Sequence, residues 1–322
     1  MSEGDRYEQM VDAANAIYGS HANRRALHAK GLFCSGTFTA TPEAAELSRA
    51  VHLQGDPVPA LIRLSNGGGD PESHDAQRES RGMAVKLRPP GGEEWDILTV
   101  TTPAFVVRTP EAFLELMKLR RPDPETGQPD MAKLGAFLGD HPEAQTAVQA
   151  TLNTEPPASY ATVTYHSPHA FKLAAADGTE TWIRYHWRPE AGEATLPDDE
   201  ARDLGRDYLR AELEGRLRDA PAVFDLQLQI REDGDPLDDP TAVWPDQRER
   251  VAAGRLEITG LVDDPESGQH IDVFDPTRVP DGIELSDDPI LHTRARAYSV
   301  SAYRRLGVEV ENPSQSPGGS TA

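Results

Sequence analysis

Apolar residues recur along the chain with two different periods, one typical of helices and the other typical of strands. Steps of three and four residues between apolar positions predict an amphipathic helix over residues 6–19. Thr41 followed by Pro42 is a typical helix start and predicts a second helix that ends near Leu53. The sequence predicts further helices at residues 110–121, 130–138, 142–152 and 198–218.

Alternating apolar and polar residues predict strands between these helices. Residues 222–230 alternate with a period of two, which is typical of an antiparallel strand with one buried face. Short strands joined by hairpin turns such as Asp177-Gly178 predict an antiparallel sheet closed into a barrel, with helices around it, and therefore an α+β fold. The other predicted strands are residues 61–65, 83–87, 95–98, 105–108, 159–165, 170–174, 181–187 and 255–261.

The charge of the chain limits the partners that it can bind. With 32 Lys and Arg against 54 Asp and Glu, the formal net charge is −22. Because phosphate groups attract cationic surfaces, this balance argues against a nucleic acid or an anionic membrane as the partner.

The cysteine content indicates a reducing compartment, and the hydropathy argues against a membrane helix. Cys34 is the single cysteine, which excludes an intrachain disulfide and a cysteine-based zinc site. The longest uncharged apolar stretch, Ile97 to Val107, is about half as long as a membrane helix requires. The acidic start has no apolar signal region, and we expect a cytoplasmic protein.

Single motifs carry little functional information in this sequence. Gly67–Gly69 lacks the strand, lysine and helix of a phosphate loop, and predicts only a flexible turn. Asp233–Pro236 lacks the spacing of a calcium loop and predicts a surface turn. Taken alone, a single histidine such as His28 is more often a structural residue than a functional one.

The order of several motifs is far more specific, because together they resemble the haem catalase superfamily over roughly residues 20–308. Within that superfamily the chain is similar to the small catalase-related haem peroxidases, which lack the long arm and the C-terminal domain of large catalases. The motifs are RALHAKG (25–31), IRLSN (62–66), RGMAVKL (81–87), WDILTVTTPAFVVRTPEAF (95–113), VWPD (243–246), FDPTRVPDGIELSDDPIL (274–291) and RARAYSVSAYRRLG (294–307).

The resemblance implies a fold and a cofactor. It implies an eight-stranded antiparallel β-barrel with surrounding helices, which forms a single haem domain over residues 1–310. The polar segment 311–322, rich in Pro, Gly and Ser, is expected to be disordered. The implied cofactor is haem b, with ferric iron in protoporphyrin.

Arg294 and Tyr298 match the R-x-x-x-Y pattern in which the family's tyrosine binds the haem iron. Residues four apart lie one helical turn from each other, so the guanidinium can face the phenol oxygen and favour its ionised form. Without the other motifs, a buried tyrosine beside an incidental arginine would explain the same pattern.

Three further residues match the distal side of the family's haem site. His28 matches the histidine that takes a proton from the bound peroxide and returns it to the departing oxygen. Ser65 matches the serine that hydrogen-bonds the other ring nitrogen and fixes the tautomer. Phe113 matches an aromatic residue that stacks on the porphyrin, although a plain core role explains it nearly as well.

Arg25, Arg63 and Arg305 match the arginines that bind the haem propionates in the family. Each can form a charge-assisted and often bidentate pair with a carboxylate. Because arginine is abundant in this chain, a surface ion pair is the alternative for each of them.

At several positions the chain departs from the family pattern. Val100 stands where catalases have a distal asparagine, and an apolar side chain cannot donate a hydrogen bond to peroxide. Gly67 replaces a bulky aliphatic residue, which implies a wider channel, and Glu79 replaces the shorter channel aspartate. Ala302 replaces a histidine near the propionates. These departures favour reduction of peroxides over their dismutation.

The sequence therefore predicts a haem peroxidase with weak catalase activity, which uses hydrogen peroxide or organic hydroperoxides and a small-molecule electron donor. A homodimer is consistent with the missing arm. The alternatives are a true catalase in which another group replaces the amide, an enzyme that converts fatty-acid hydroperoxides, and a non-catalytic haem carrier.

Overall fold

Ten antiparallel strands and eight helices form the part of the chain that the structure, a computed structural model, describes, namely residues 3–265 and 271–307. The expected disordered tail, 311–322, lies outside these residues. The strands are β1 (Gly31–Ala40), β2 (Val58–Asn66), β3 (Arg81–Leu87), β4 (Trp95–Val100), β5 (Tyr165–His166), β6 (Phe171–Ala174), β7 (Glu180–Pro189), β8 (Ala222–Ile230), β9 (Arg250–Val262) and β10 (Ile283–Leu285). The helices are α1 (Glu3–Tyr18), α2 (Pro42–Leu47), α3 (Pro110–Leu119), α4 (Met131–Asp140), α5 (Ala144–Asn153), α6 (Asp198–Asp203), α7 (Tyr208–Asp219) and α8 (Pro289–Arg305).

Eight of these strands close into a barrel. Their order is β7-β5-β4-β3-β2-β1-β9-β8, and pairing between β7 and β8 completes the ring, while β6 and β10 extend the sheet beyond β7. A closed ring leaves no unpaired strand edge among its members. The predicted eight-stranded antiparallel barrel with surrounding helices is therefore confirmed.

The barrel interior is built from alternate residues of each strand. Cys34, Ile62, Val85 and Ile97 are direct neighbours across four strands, and each is at most 1% exposed. Burial raises the pKa of the Cys34 thiol to about 12, so this cysteine packs as a small apolar side chain.

Three of the helices, α1, α3 and α8, form a layer in which they pack against one another. Helix α1 contacts both α3 and α8, and Met10, Ala14, Leu114 and Met117 form the buried core of this layer. Leu27, which precedes the candidate His28, packs against the same core. Among the described residues, no helix combines the length and apolar composition needed to cross a bilayer.

Two predicted strands are wrong. Residues 105–108 form no strand, because Phe105, Val106 and Val107 bury their side chains among the helices α3 and α4 instead of in a sheet. Over 159–165 the chain forms a 3-10 turn at 160–162, and only the last residue enters β5. The Ser159 hydroxyl accepts the Ala161 N–H at 3.0 Å, which stabilises this turn.

Two predicted helices are shorter than the pattern indicates. The start at Thr41 and Pro42 is confirmed, since the Thr41 hydroxyl caps α2, but this helix ends at Leu47 and a 3-10 turn follows at Val51–Leu53. The predicted helix 198–218 is interrupted between α6 and α7, where Gly205 lies. Glycine is a poor helix former, which explains an interruption there.

The sequence patterns also missed two strands, β1 and β10. Gly31 and Gly36 interrupt the pattern of β1, and both are needed for close approach of the backbone. A Cβ on Gly36 would lie 2.5 Å from the Glu257 carbonyl oxygen, at the point where the register between β1 and β9 shifts.

Close packing in the barrel generates a stability prediction for Gly254 in β9. A Cβ there would lie 2.3 Å from the Phe38 ring and 2.9 Å from the Thr39 carbonyl oxygen. We expect Gly254→Ala to lower the free energy of unfolding by about 1–3 kcal/mol, because the ring must move. Gly260→Ala in the same strand is the control, since its nearest contact is 4.0 Å away. Equal denaturation midpoints for the two variants would contradict this packing.

Candidate functional site

His28 lies in the segment between α1 and β1, and its backbone has an unusual conformation. Its φ angle is +54°, a left-handed value that costs a non-glycine residue about 1–3 kcal/mol. Two contacts hold it there: the His28 N–H donates to the Gly67 carbonyl at 3.2 Å, and Arg63 Nη2 donates to the His28 carbonyl at 2.7 Å. The surrounding residues therefore determine where this imidazole lies.

A serine that contacts the ring and a glycine that leaves space for it fix the position of the His28 ring. Its Nδ1 lies 3.0 Å from Ser65 Oγ at the end of β2. Gly82, the neighbour of Ser65 across β2 and β3, provides the space for the ring. A Cβ on Gly82 would lie 2.9 Å from His28 Nδ1, from His28 Cε1 and from Ser65 Oγ. The structure thus brings the predicted His28 and Ser65 together, and adds Gly82, which the sequence reasoning missed.

The electrostatic surroundings keep the His28 imidazole neutral. Burial is the main cause that lowers its pKa from 6.5 to about 3, and the positive charges of Arg63, Arg294 and Arg25 contribute to this shift in that order of importance. A neutral imidazole at ordinary pH can accept a proton. The effect of Arg294 also shows that α8 lies within electrostatic reach of His28.

Helix α8 begins at a capping aspartate that has a second partner. Asp288 Oδ1 accepts the N–H groups of Ile290 and Leu291 at 2.8 and 3.3 Å, with Pro289 in the first helical turn. Its other oxygen, Oδ2, lies 2.6 Å from His169 Nδ1. One buried carboxylate therefore fixes both the start of the helix and the orientation of a histidine ring.

From His169 a chain of hydrogen bonds leads to Tyr298. Because a carboxylate can only accept, His169 Nδ1 carries the proton and its Nε2 is free to accept from Arg294 Nη1 at 2.8 Å. Arg294 Nε then donates to the Tyr298 phenol oxygen at 2.9 Å. The predicted pair of Arg294 and Tyr298 is thus in contact.

His169 is neutral in this chain. Burial lowers its pKa, and this effect outweighs the opposing influence of Asp288. Sequence reasoning missed both His169 and Asp288. Asp288 followed by Pro289 is a recognisable helix start that could have drawn attention to it. No sequence pattern pointed to His169.

The other predicted residues lie in the surrounding elements. Arg25 and Arg63 both lie near Phe33, at 5.9 and 5.6 Å from the centre of its ring. Arg305 lies in the last turn of α8, about three turns beyond Arg294. Phe113 is partly buried on α3, with its ring centre 5.6 Å from that of Phe105.

The structure also locates the residues at which the chain departs from the family pattern. Val100 ends β4 and is the direct neighbour of Gly82 across β3 and β4, so an apolar side chain lies beside the His28 cradle. Ala302 is buried in α8. The expectation that Gly67 widens a channel stays a prediction; a Cβ there would lie 2.8 Å from Ser80 Oγ and 2.9 Å from the Ser80 carbonyl oxygen. The space beside Gly67 is already filled.

Comparison with known proteins agrees with this architecture. The family model described as Catalase matches residues 9–315. A catalase-related peroxidase of Mycolicibacterium paratuberculosis is 43% identical over 310 residues, which are 96% of this chain and 97% of that protein. A catalase-related peroxidase of Synechococcus elongatus is 32% identical, with 92% of this chain and 88% of that protein covered.

Larger catalases are similar to this chain over part of their length. A catalase of Pseudomonas aeruginosa is 30% identical over 297 residues, which are 88% of this chain and 57% of that protein. The crystal structure of a fungal catalase superimposes with a TM-score of 0.78 at 24% identity, over 89% of this chain and 60% of that one. The fold is therefore shared with catalases.

The cradle at Gly82 can be tested through the ionisation of His28. We expect Gly82→Ala to push the ring away from Ser65 and toward solvent, which raises the pKa of His28 from about 3 toward 6.5. Exchange of the imidazole Cε1 proton, followed by mass spectrometry, measures this pKa for single histidines. Gly135→Ala in α4 is the control, because nothing lies within 4 Å of its Cβ position. An unchanged His28 pKa in the Gly82 variant would refute the cradle.

Proposed function

The chain belongs to the catalase family, and we propose that it is a haem peroxidase that reduces hydrogen peroxide and organic hydroperoxides with electrons from an external small molecule. The observation that carries this proposal is that the structure contains two groups of particular chemistry. One is a neutral imidazole, His28, and the other is a tyrosine, Tyr298, whose oxygen receives a hydrogen bond from Arg294. These are the two kinds of group that haem peroxide chemistry requires.

The residues present fit a haem, and we propose haem b. Tyr298 is the proposed iron ligand, since its oxygen already accepts from a guanidinium and is suited to bind as a phenolate. Arg25, Arg63 and Arg305 are the proposed partners of the two propionates, and Phe113 is the proposed stacking residue. The glycine at position 82 supports this fit, because it leaves the face of the sheet open for the His28 ring. When bound, a haem supplies the redox chemistry, taking oxidising equivalents from peroxide and passing them to the donor.

In this proposal His28 moves the proton that allows the peroxide O–O bond to break. Its Nε2 would take the proton from one peroxide oxygen and return it to the other, which would leave as water or an alcohol. This role requires the tautomer with the proton on Nδ1, and Ser65 Oγ at 3.0 Å is the acceptor that favours it. The low pKa of His28 keeps Nε2 able to accept.

Two observations favour a peroxidase over a dismutating catalase. Val100, the neighbour of Gly82, presents no hydrogen-bond donor beside the His28 cradle, so a second hydrogen peroxide finds no amide there. The relatives named catalase-related peroxidase also match nearly their whole length, whereas the Pseudomonas aeruginosa catalase is covered over 57%. A true catalase is the second candidate function, supported by the 30% identity with the Pseudomonas aeruginosa catalase.

We further propose that residues 1–310 form one haem domain. Strand β1, near the start of the chain, pairs with β9, which ends at Val262, and α1 packs against α8. Segments from both ends therefore share one barrel and one helical layer.

The proposed function predicts that the purified protein oxidises a phenolic dye with hydrogen peroxide or cumene hydroperoxide and releases little oxygen from hydrogen peroxide. In His28→Ala the reaction with peroxide should slow by roughly 10²–10⁴-fold, as expected for loss of a general acid–base. Stopped-flow absorbance and an oxygen electrode make the two measurements.

The matched control is His141→Ala, a partly exposed histidine after α4, which should react like the wild type. Fast oxygen release without dye oxidation would replace the peroxidase by a catalase. Unchanged kinetics in His28→Ala would remove His28 from the reaction.

The assignment of the iron ligand gives a separate prediction. Tyr298→Phe should lose haem or show a changed haem absorption spectrum, because a phenyl ring offers no oxygen to the iron. Tyr303→Phe, on the same helix but 45% exposed, is the control and should keep the wild-type spectrum. Wild-type haem content and spectrum in Tyr298→Phe would exclude Tyr298 as the ligand.

A further inference from the structure

The segment Gly67–Gly69, called here the glycine loop, lies directly against the backbone of His28. The Gly67 carbonyl accepts the His28 N–H at 3.2 Å, and the Gly68 carbonyl accepts the Ala29 N–H at 3.0 Å. Two consecutive peptide groups of the His28 segment thus depend on two consecutive carbonyls of the loop. Any shift of the loop must shift the backbone that holds His28 at its positive φ.

A single carboxylate holds the glycine loop from the other side. Glu79 Oε2 accepts the Gly68 N–H at 2.6 Å, a short distance typical of a hydrogen bond to a charged group. The other oxygen, Oε1, is buried and has no hydrogen-bond partner among the described residues, with Arg81 Nη1 3.6 Å away. The Glu79 side chain is 17% exposed, so Oε2 makes this contact in a largely dry environment.

Close packing transmits the position of Glu79 through the loop. A Cβ on Gly69 would lie 2.2 Å from the Ala26 carbonyl oxygen and 2.8 Å from the Tyr18 ring, and a Cβ on Gly68 would lie 2.9 Å from Glu79 Oε2. The three glycines therefore have no free space on these sides. The sequence predicted a flexible turn here, but the loop is a tightly packed layer between Glu79 and the His28 segment.

We propose that Glu79 is a positioning residue, which acts through the glycine loop to hold His28 in its left-handed backbone conformation against Ser65 and Gly82. This inference rests on the proposed function, in which His28 handles the proton of the peroxide. It differs from the expectation of a carboxylate that lines a channel, because the carboxylate is directed at a backbone N–H.

Loss of this contact has a defined consequence for His28. Without the anchored loop, the backbone of His28 relaxes toward negative φ, which every residue except glycine prefers. The ring then leaves Ser65 and the surface of Gly82 and becomes hydrated. Hydration removes the main cause of the low pKa of His28, so the imidazole binds a proton in mildly acidic solution.

The charged groups around Glu79 belong to three segments. Arg81 and Lys30 favour the ionised carboxylate, Asp75 disfavours it, and burial raises the pKa of Glu79 more than any of these groups changes it. The Gly68 N–H also favours the ionised form. As the pH falls through the pKa of Glu79, the carboxylate becomes a neutral acid and its bond to Gly68 weakens.

The test compares Glu79→Ala and Glu79→Gln in the complete haem-loaded protein. Amide hydrogen exchange by mass spectrometry should show Gly68, His28 and Ala29 opening roughly tenfold more often, or more, in Glu79→Ala, since a hydrogen bond to a charged group is lost. The His28 pKa, measured by Cε1 proton exchange, should rise from about 3 toward 6.5. Glu79→Gln keeps an oxygen acceptor without the charge, and both changes should be intermediate.

Kinetics give a third reading that a merely structural role would not produce. If the His28 pKa reaches 6.5, only about one imidazole in thirty is neutral at pH 5, so kcat/KM for hydrogen peroxide should fall about thirtyfold at pH 5. At pH 8 ionisation of His28 should cost nothing. Glu214→Ala in α7 is the control and should match the wild type at both pH values.

Each outcome of these measurements either supports or overturns the positioning role of Glu79. Wild-type amide exchange and His28 pKa in Glu79→Ala, or in Glu79→Gln if the alanine variant does not fold, would overturn the positioning role. A loss of kcat/KM that is equal at pH 5 and pH 8 would also overturn it. Failure of the wild type to react with peroxide would remove the proposed function, but the exchange and pKa measurements would still test Glu79.

Discussion

Arg294 donates hydrogen bonds toward both ends of the chain that links Asp288 to Tyr298, and the chemistry of the site depends on this arrangement. The carboxylate fixes the proton on His169 Nδ1, which leaves Nε2 to accept from Arg294, and Arg294 then donates to the phenol oxygen. The proposed iron ligand thus receives its hydrogen bond from a charged group. Asp288 also caps α8, so the same carboxylate couples the start of the helix to the state of its tyrosine.

In the proposed reaction His28 has to stay neutral, so that its imidazole can accept a proton. Burial and three arginine charges meet this requirement in a chain whose net charge is −22. Three arginine charges near one histidine also suit a cofactor with two carboxylates. The barrel makes this arrangement rigid, since Ser65, Gly82 and Val100 are consecutive neighbours across β2, β3 and β4.

Local patterns in the sequence predicted the elements whose signal is contained within the element itself. The cap at Thr41 and the alternation of 222–230 are examples, and both are confirmed. The apolar run at 105–108 was misread because its burial comes from distant helices, and period alone cannot reveal the partner. Strand β1 was missed because its glycines serve the close approach of other strands.

The residues of the candidate site likewise divide into those that motifs predicted and those that they missed. His28, Ser65, Arg294 and Tyr298 were predicted from motifs, and the structure brings them into two contacting pairs. His169 and Gly82 were not predicted, because their importance arises only from residues that are remote in the sequence. The glycine loop was misjudged as flexible for the same reason, since its packing against Ala26 and Tyr18 is a tertiary feature.

We propose above all that Tyr298 binds the iron of a haem through its phenolate oxygen. Resonance Raman spectra of the purified protein, recorded with ordinary tyrosine and with ring-deuterated tyrosine, test it most directly. We expect vibrations of an iron-bound phenolate that shift with the label. A haem whose ligand bands do not respond to tyrosine labelling, or a protein that binds no haem, would contradict it.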